Sequence, residues 1–326
     1  MNKIYFYAPD EEKVELMKKD YSKWSGDFGN FGWIAPTYFY LKAAGFTCEI
    51  ATRVPEEGIL LADRDTLGDG QKDLNKVMLI CAKGDREFHP YAHLHIVQNP
   101  VEFNRKKNSI WRPYYIPFWP QPELVPRAKE RNYLVENVAY IGAESQLAKE
   151  LKSERWIKYL EDLGCKWLPI FDKKKWNNYR NIDLVVAARS FDKITYTNKP
   201  ASKLINCWRA GVPAILTPET AFLAERKTEL DFLIVESLEE AIAAVKKLKS
   251  DPELYGAMVE NCLKRAEEFT TEKTVEQWVT FFNQVAFPAY EEWRKTSEPQ
   301  KEILFFLRSI RLKLHRMTVI IKGKLK

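Results

Sequence analysis

The chain alternates short apolar runs with longer stretches in which apolar residues recur at helical spacing. In its first half, residues 3–7 (KIYFY), 47–52, 58–62, 77–82 (VMLICA) and 94–98 (LHIVQ) predict strands. Residues 12–19 and 34–44 predict helices, the second stopped by Gly45. Strands this short, separated by helices, predict parallel pairing in a βαβ sheet. The pattern returns in the second half, with strands at 137–141, 166–171, 183–188 (DLVVAA), 213–217 and 232–235. Helices are predicted there at 146–163, 201–210, 238–248 and 252–269, with Gly164 and Gly211 as stops.

Between the two halves the rhythm breaks. The stretch IWRPYYIPFWPQPELVPR, residues 110–127, carries five prolines among aromatics, which forbids a helix or a central strand and suits a fixed crossing. The expected organisation is therefore an N-terminal Rossmann-like domain (1–109), a crossing (110–130) and a second Rossmann-like domain (131–270). Helices over 271–298 would pack back across the molecule, and a basic tail (299–326) would follow. The fold class is α/β, with two doubly wound domains.

Composition sharpens this picture in three places. No apolar run approaches the ~18 residues that span a bilayer, and the N-terminus lacks the apolar core of a signal peptide. The five cysteines are scattered without CxxC spacing, as suits a reducing cytoplasm. The net charge of +6 belongs to the tail: seven Lys and Arg and no acid lie between Arg308 and Lys326, and the rest of the chain is near neutral. A nucleic-acid-binding surface is not what this distribution describes.

Open parallel sheets bind ligands at the carboxyl ends of their strands. The sharpest such segment is NKPASKLINCWRAGVP, residues 198–213, where a loop with Lys199, Pro200 and Ser202 opens a helix that also carries Lys203. Arg189, at the end of the preceding strand, faces the same place. Exposed first-turn amides with converging cations suit a diphosphate. The bland alternative is that both lysines are solvated and Ser202 merely caps the helix. Glu219, after the next strand, either touches a nucleotide or sugar hydroxyl or caps the helix at 220–225.

The run KPASKLINCWRAGVPAI resembles the donor-site segment of GT-B glycosyltransferases, particularly the group-1, family-4-like branch, whose pattern is E-x-F-G-L-x-x-x-E-A-x-A-x-G-x-P-V-I. The resemblance implies a GT-B fold, two Rossmann-like domains facing a central cleft, and a nucleotide-diphosphate sugar as co-substrate with no further cofactor. Matching on AGVP places Asn206 at the second family glutamate, which contacts the donor ribose, and Asn198 at the first. Both acids are amides here, so retaining or inverting chemistry stays open. Gly142 (YIGAES) falls where such enzymes bring a glycine loop to the donor phosphates. The loop GDFGNFG, with Gly26, Gly29 and Gly32, falls where they line the acceptor side. Asp27 within it is the best-placed general base, or else it caps a turn.

His89, His93 and His95 invite a metal reading, but no acid or cysteine cluster completes a site; packing, a substrate contact or an alternative base are the other roles. No metal is expected, and no G-x-S-x-G, P-loop or H-E-x-x-H occurs. In the tail, Ile303, Leu307, Ile310, Leu314, Met317 and Ile321 share one helical face and cations spread over the rest. This amphipathic helix either lies on an anionic membrane surface or docks on the body. Ending the chain before Pro299 is expected to leave both domains folded. The leading expectation is a metal-independent glycosyltransferase in polysaccharide or glycan biosynthesis with a glycan or lipid-linked acceptor, cytoplasmic and peripheral at the inner membrane face. The other is a catalytically silent two-lobed nucleotide-sugar-binding protein.

Overall fold

The computed structural model describes residues 3–12, 14–15, 32–70 and 77–324. They divide into two compact units, one holding the described residues up to Trp119 together with Thr274 onward, the other Pro120–Lys273. The chain thus enters the second unit inside the proline-rich segment and returns within a helix.

The first unit is a six-stranded sheet of β1 (Ile4–Tyr7), β2 (Glu49–Ala51), β3 (Ile59–Asp63), β4 (Met78–Ala82), β5 (Leu94–Val97) and β6 (Pro113–Tyr115), in the order β2-β1-β3-β4-β5-β6. Every pairing is parallel. β3, β4 and β5 are buried along their whole length, which is why they read as unbroken apolar runs. Helix α1 (Ile34–Ala43) and helix α2 (Pro100–Lys106) belong to this unit. β6 was not anticipated among the prolines. It is tolerated at an edge, where the missing proline N–H breaks no ladder.

The second unit is a five-stranded parallel sheet of β7 (Asn137–Ile141), β8 (Lys166–Ile170), β9 (Leu184–Ala187), β10 (Ala214–Leu216) and β11 (Leu233–Ile234), in the order β11-β10-β9-β7-β8. The strand order reverses between β7 and β9, the switch point where doubly wound sheets open a crevice. Its helices are α3 (Glu154–Asp162), α4 (Ser202–Ala210), α5 (Thr220–Glu225), α6 (Leu238–Ser250) and α7 (Pro252–Ala266). The single helix expected over 146–163 is replaced by short 3-10 turns and α3. Ser153 caps α3 by accepting the Trp156 amide, so the helix starts there and not at Gln146. Asp183, fully buried before β9, accepts from Arg127, Arg131 and the amides of Glu136 and Asn137. Four donors on one carboxylate tie the entry segment of this unit to its sheet.

Helix α8 (Thr271–Phe281) runs through a π turn (Phe282–Ala286) into α9 (Phe287–Lys295), and Trp278, Phe281 and Phe282 join the core of the first unit. The tail forms α10 (Glu298–Lys324), which packs on the same unit. Arg308 is wholly buried and donates to the Ala92 carbonyl at 2.5 Å and, through Nε, to that of Ile110 at 2.7 Å. Arg316 reaches Glu87 at 2.7 Å and Asp69 at 2.8 Å. The expectation that the tail can be removed from a folded body is corrected here, because its loss would break the Arg308 hydrogen bonds and uncover the apolar surface that Phe305 and Leu312 pack against. No helix among the described residues is long and apolar enough to cross a membrane.

Candidate donor site in the second unit

Four of the residues singled out in the sequence meet at the switch point. Gly142 follows β7 with φ +152°, a backbone that L side chains rarely adopt. A Cβ there would collide with the Lys203 ammonium and lie 2.9 Å from the Tyr140 hydroxyl. Lys203, in the first turn of α4, sends its Nζ to the Ile141 carbonyl at 2.8 Å, 4.9 Å from the centre of the Tyr140 ring. Arg189, just past β9, pairs with Glu219 at 3.0 Å, gives a second hydrogen bond to Gln146, and stands 5.6 Å from the Tyr196 ring.

The start of α4 lacks a side-chain cap. Its N-cap is Ala201, which offers no side-chain acceptor, so no N-cap side chain satisfies the first amides of the helix. Ser202 stands at the first helical position and not at the cap. Gly211, left-handed at φ +66°, ends the helix as read from the sequence.

The electrostatics of the cluster follow from burial. Lys203 is pulled down to about 8, chiefly because its ammonium is removed from water and secondarily because Arg189 is near. Burial raises the Glu219 carboxyl, against the pull of Arg189. Glu219 is the N-cap residue of α5 by position, yet its side chain caps nothing and spends itself on Arg189. Tyr140 and Gln146 are members of the cluster that sequence reasoning missed. Gln146, four residues after Gly142 in the same strand-end loop, was within reach of the strand-end rule.

The other expected residues lie around this centre, and the charge of Lys199 acts on the Glu219 carboxyl. Asn206 hydrogen-bonds the buried Tyr179 phenol. Asn198, Lys199 and Pro200 form the half-buried loop before α4, where the Lys199 amide donates to the Tyr196 carbonyl at 3.1 Å. Beside the cluster, at the ends of β9, β10 and β11, lies a cavity of about 240 Å³ lined by Ser190, Phe191, Lys193, Thr195, Thr217 and Glu236, among others. The Thr217 hydroxyl is buried without a partner.

In the first unit, Gly26, Asp27 and Gly29 lie outside the described residues; Gly32 is half-buried in the turn before α1. The histidines are packed. His95 is fully buried, sits 2.6 Å from the Trp111 carbonyl through Nδ1 and accepts the His89 amide at Nε2. That pairing assigns the neutral Nδ1–H tautomer, and burial holds the ring well below its usual pKa. His93 meets Arg112 at 2.8 Å and burial drops it to about 3. Both rings are thereby committed to the fold and not to an alternative base. Among the described residues no three His, Cys, Asp or Glu side chains group as a metal site.

No family model and no curated protein matches the chain. Solved structures do. The pneumococcal O-GlcNAc transferase GtfA, solved with UDP and GlcNAc, aligns at a TM-score of 0.50 and 14% identity, over 78% of this chain and 60% of that one. HepE of Anabaena, solved with UDP, aligns at 0.49 and 12%, over 87% of this chain and 100% of HepE. Sucrose-phosphate synthase from Thermosynechococcus elongatus aligns at 0.46 and 14%, over 86% and 81%. The chain has the α/β architecture of the GT-B glycosyltransferases, with two parallel sheets of six and five strands.

Proposed function

We propose that this chain is a glycosyltransferase that binds a nucleotide-diphosphate sugar in its second unit and passes the sugar to a glycan or lipid-linked acceptor. The observation that carries this reading is the switch-point cluster of Gly142, Lys203 and Arg189 against the uncapped start of α4. Backbone amides and two cations there supply what a leaving diphosphate needs as negative charge develops on it. The transfer is metal-independent in this reading, with the amides and cations doing what a bound ion does elsewhere. The cavity beside the cluster holds the part of the donor next to the diphosphate. GtfA, whose fold the chain shares, was solved with UDP, which makes UDP the first nucleotide to try.

The acceptor hydroxyl loses its proton to Asp27 if the reaction inverts, so Asp27→Asn lowers kcat by about 10²–10⁴-fold and leaves donor affinity unchanged. An acceptor made on a lipid carrier places the enzyme at the cytoplasmic face of a membrane and its product in a polysaccharide or other glycan. Amides at 198 and 206, with Asn206 turned to Tyr179, favour a second reading in which the protein binds nucleotide sugars without transferring them.

One experiment separates these. Isothermal calorimetry with UDP, GDP and ADP establishes donor class, and hydrolysis of the matching nucleotide sugar, with and without EDTA, follows turnover. Binding plus EDTA-resistant turnover supports the transferase, and binding without turnover supports the silent protein. Activity abolished by EDTA and restored by Mn²⁺ refutes metal independence.

A further inference from the structure

We propose that α10 is a two-faced helix, clamped to the first unit by one side and docked on an anionic lipid bilayer by the other. This deepens the membrane part of the proposed function and is independent of donor binding, since vesicle binding and UDP binding can each fail alone.

At 100° per residue, Ile303, Leu307, Ile310, Leu314, Met317 and Ile321 fall within about 40° of one line along the helix. These six are 40–61% exposed, and Phe306 beside them is exposed as well. The buried side of the helix is Lys301, Phe305, Arg308 and Leu312, about 180° away, with Arg316 half-buried on the same side. The apolar stripe read from the sequence is therefore not the docking face. It is left facing water along a helix of about 40 Å, a contiguous surface of the size that marks an interaction site.

The rotational setting of the helix is fixed. Arg308 hydrogen-bonds the Ala92 and Ile110 carbonyls, and Arg316 pairs with Asp69 and Glu87, so the stripe cannot turn inward without breaking buried bonds. Exposed Arg311 and Lys313 stand about 80° to either side of the stripe. Beyond Glu302 the helix has no acid, and the neighbouring Asp69 and Glu87 are already balanced by Arg316 together with Arg64. Two copies meeting stripe to stripe would bring rows of cations together, whereas an anionic leaflet matches both the apolar line and its basic margins. The occupant is thus a lipid surface, with the helix axis in its plane.

The full chain is to be sedimented with phosphatidylcholine vesicles, with and without about one quarter phosphatidylglycerol. Binding to the anionic vesicles alone is expected, falling several-fold between about 0.1 and 0.5 M salt. Leu307→Glu with Leu314→Glu should lower the partition at least about tenfold at unchanged Tm, since both residues are exposed. All five native cysteines are buried, so an environment-sensitive dye can be placed at Leu314→Cys or at His315→Cys. On vesicle addition the first label should shift to the blue and the second should not. No pelleting at low salt, an equal shift at both positions, or a dimer that the double variant dissolves would each overturn the proposal, the last in favour of a second copy of the chain.

Discussion

In the proposed donor site the depressed pKa of Lys203 should make nucleotide binding depend on pH in a range where the diphosphate is already largely ionised. A diphosphate needs the ammonium form, and in the free protein that form is lost as pH rises through about 8. With the competent fraction near 0.9 at pH 7 and near 0.09 at pH 9, apparent affinity should fall about tenfold across that interval. Bound phosphate restores the positive charge, so binding takes up a proton. At pH 8 calorimetry in two buffers of different ionisation enthalpy should report about half a proton per UDP. Lys203→Met keeps the stem of the side chain and should abolish both the uptake and the pH slope, while weakening UDP by about 1.5–3 kcal/mol at pH 7. Folding carries the opposite sign. Between about 8 and 10.5 the unfolded chain binds more protons at this lysine, so its contribution to stability grows as pH rises. Equal proton uptake by wild type and Lys203→Met, or flat UDP affinity from pH 7 to 9, would refute the placement of Lys203 at the diphosphate.

Gly142→Ala puts a Cβ against Lys203 and Tyr140 on a backbone at φ +152°, and strain of about 1–3 kcal/mol should appear as a lower Tm and a tenfold to hundredfold loss of UDP affinity. Unchanged affinity in a folded variant would remove the glycine from the site. Arg189→Met strands the buried Glu219 carboxylate and should cost about 3–5 kcal/mol of stability by urea titration, part of it recovered in the double variant with Glu219→Gln. An additive double variant would mean that the pair is not coupled.

The strands were legible because most are buried on both faces and bounded by turns, so local composition determines them. The break before α3 was not, since Ser153 becomes a cap only through its bond to Trp156. Gly142, Arg189, Lys203 and Glu219 were legible as strand-end residues. Tyr140 was hidden within an apolar strand, and its place under Lys203 depends on how β7 and α4 pack. The tail shows the limit most plainly. Its periodicity revealed an apolar line, but the side that docks is marked by Arg308, whose partners lie some two hundred residues earlier.

An acid inside the proposed anion site looks self-defeating, and the geometry gives Glu219 a role there. Arg189 carries its donors in a fixed fork, and without a brace the guanidinium would rotate among several orientations. Glu219 engages the Nε side and Gln146 takes Nη1, so two of the directions of the fork are fixed. The donors left over are presented in one orientation to whatever occupies the crevice between β7 and β9. Burial raises the Glu219 carboxyl, and the paired Arg189 guanidinium opposes that shift and balances the carboxylate charge. The net positive charge offered to a ligand then comes from Lys203 and the amides of α4. Lys203 is also the group held down to about 8, ready to gain a proton when a diphosphate arrives. Orientation and charge are thus supplied by different residues, Glu219 fixing the first through Arg189 and Lys203 supplying the second.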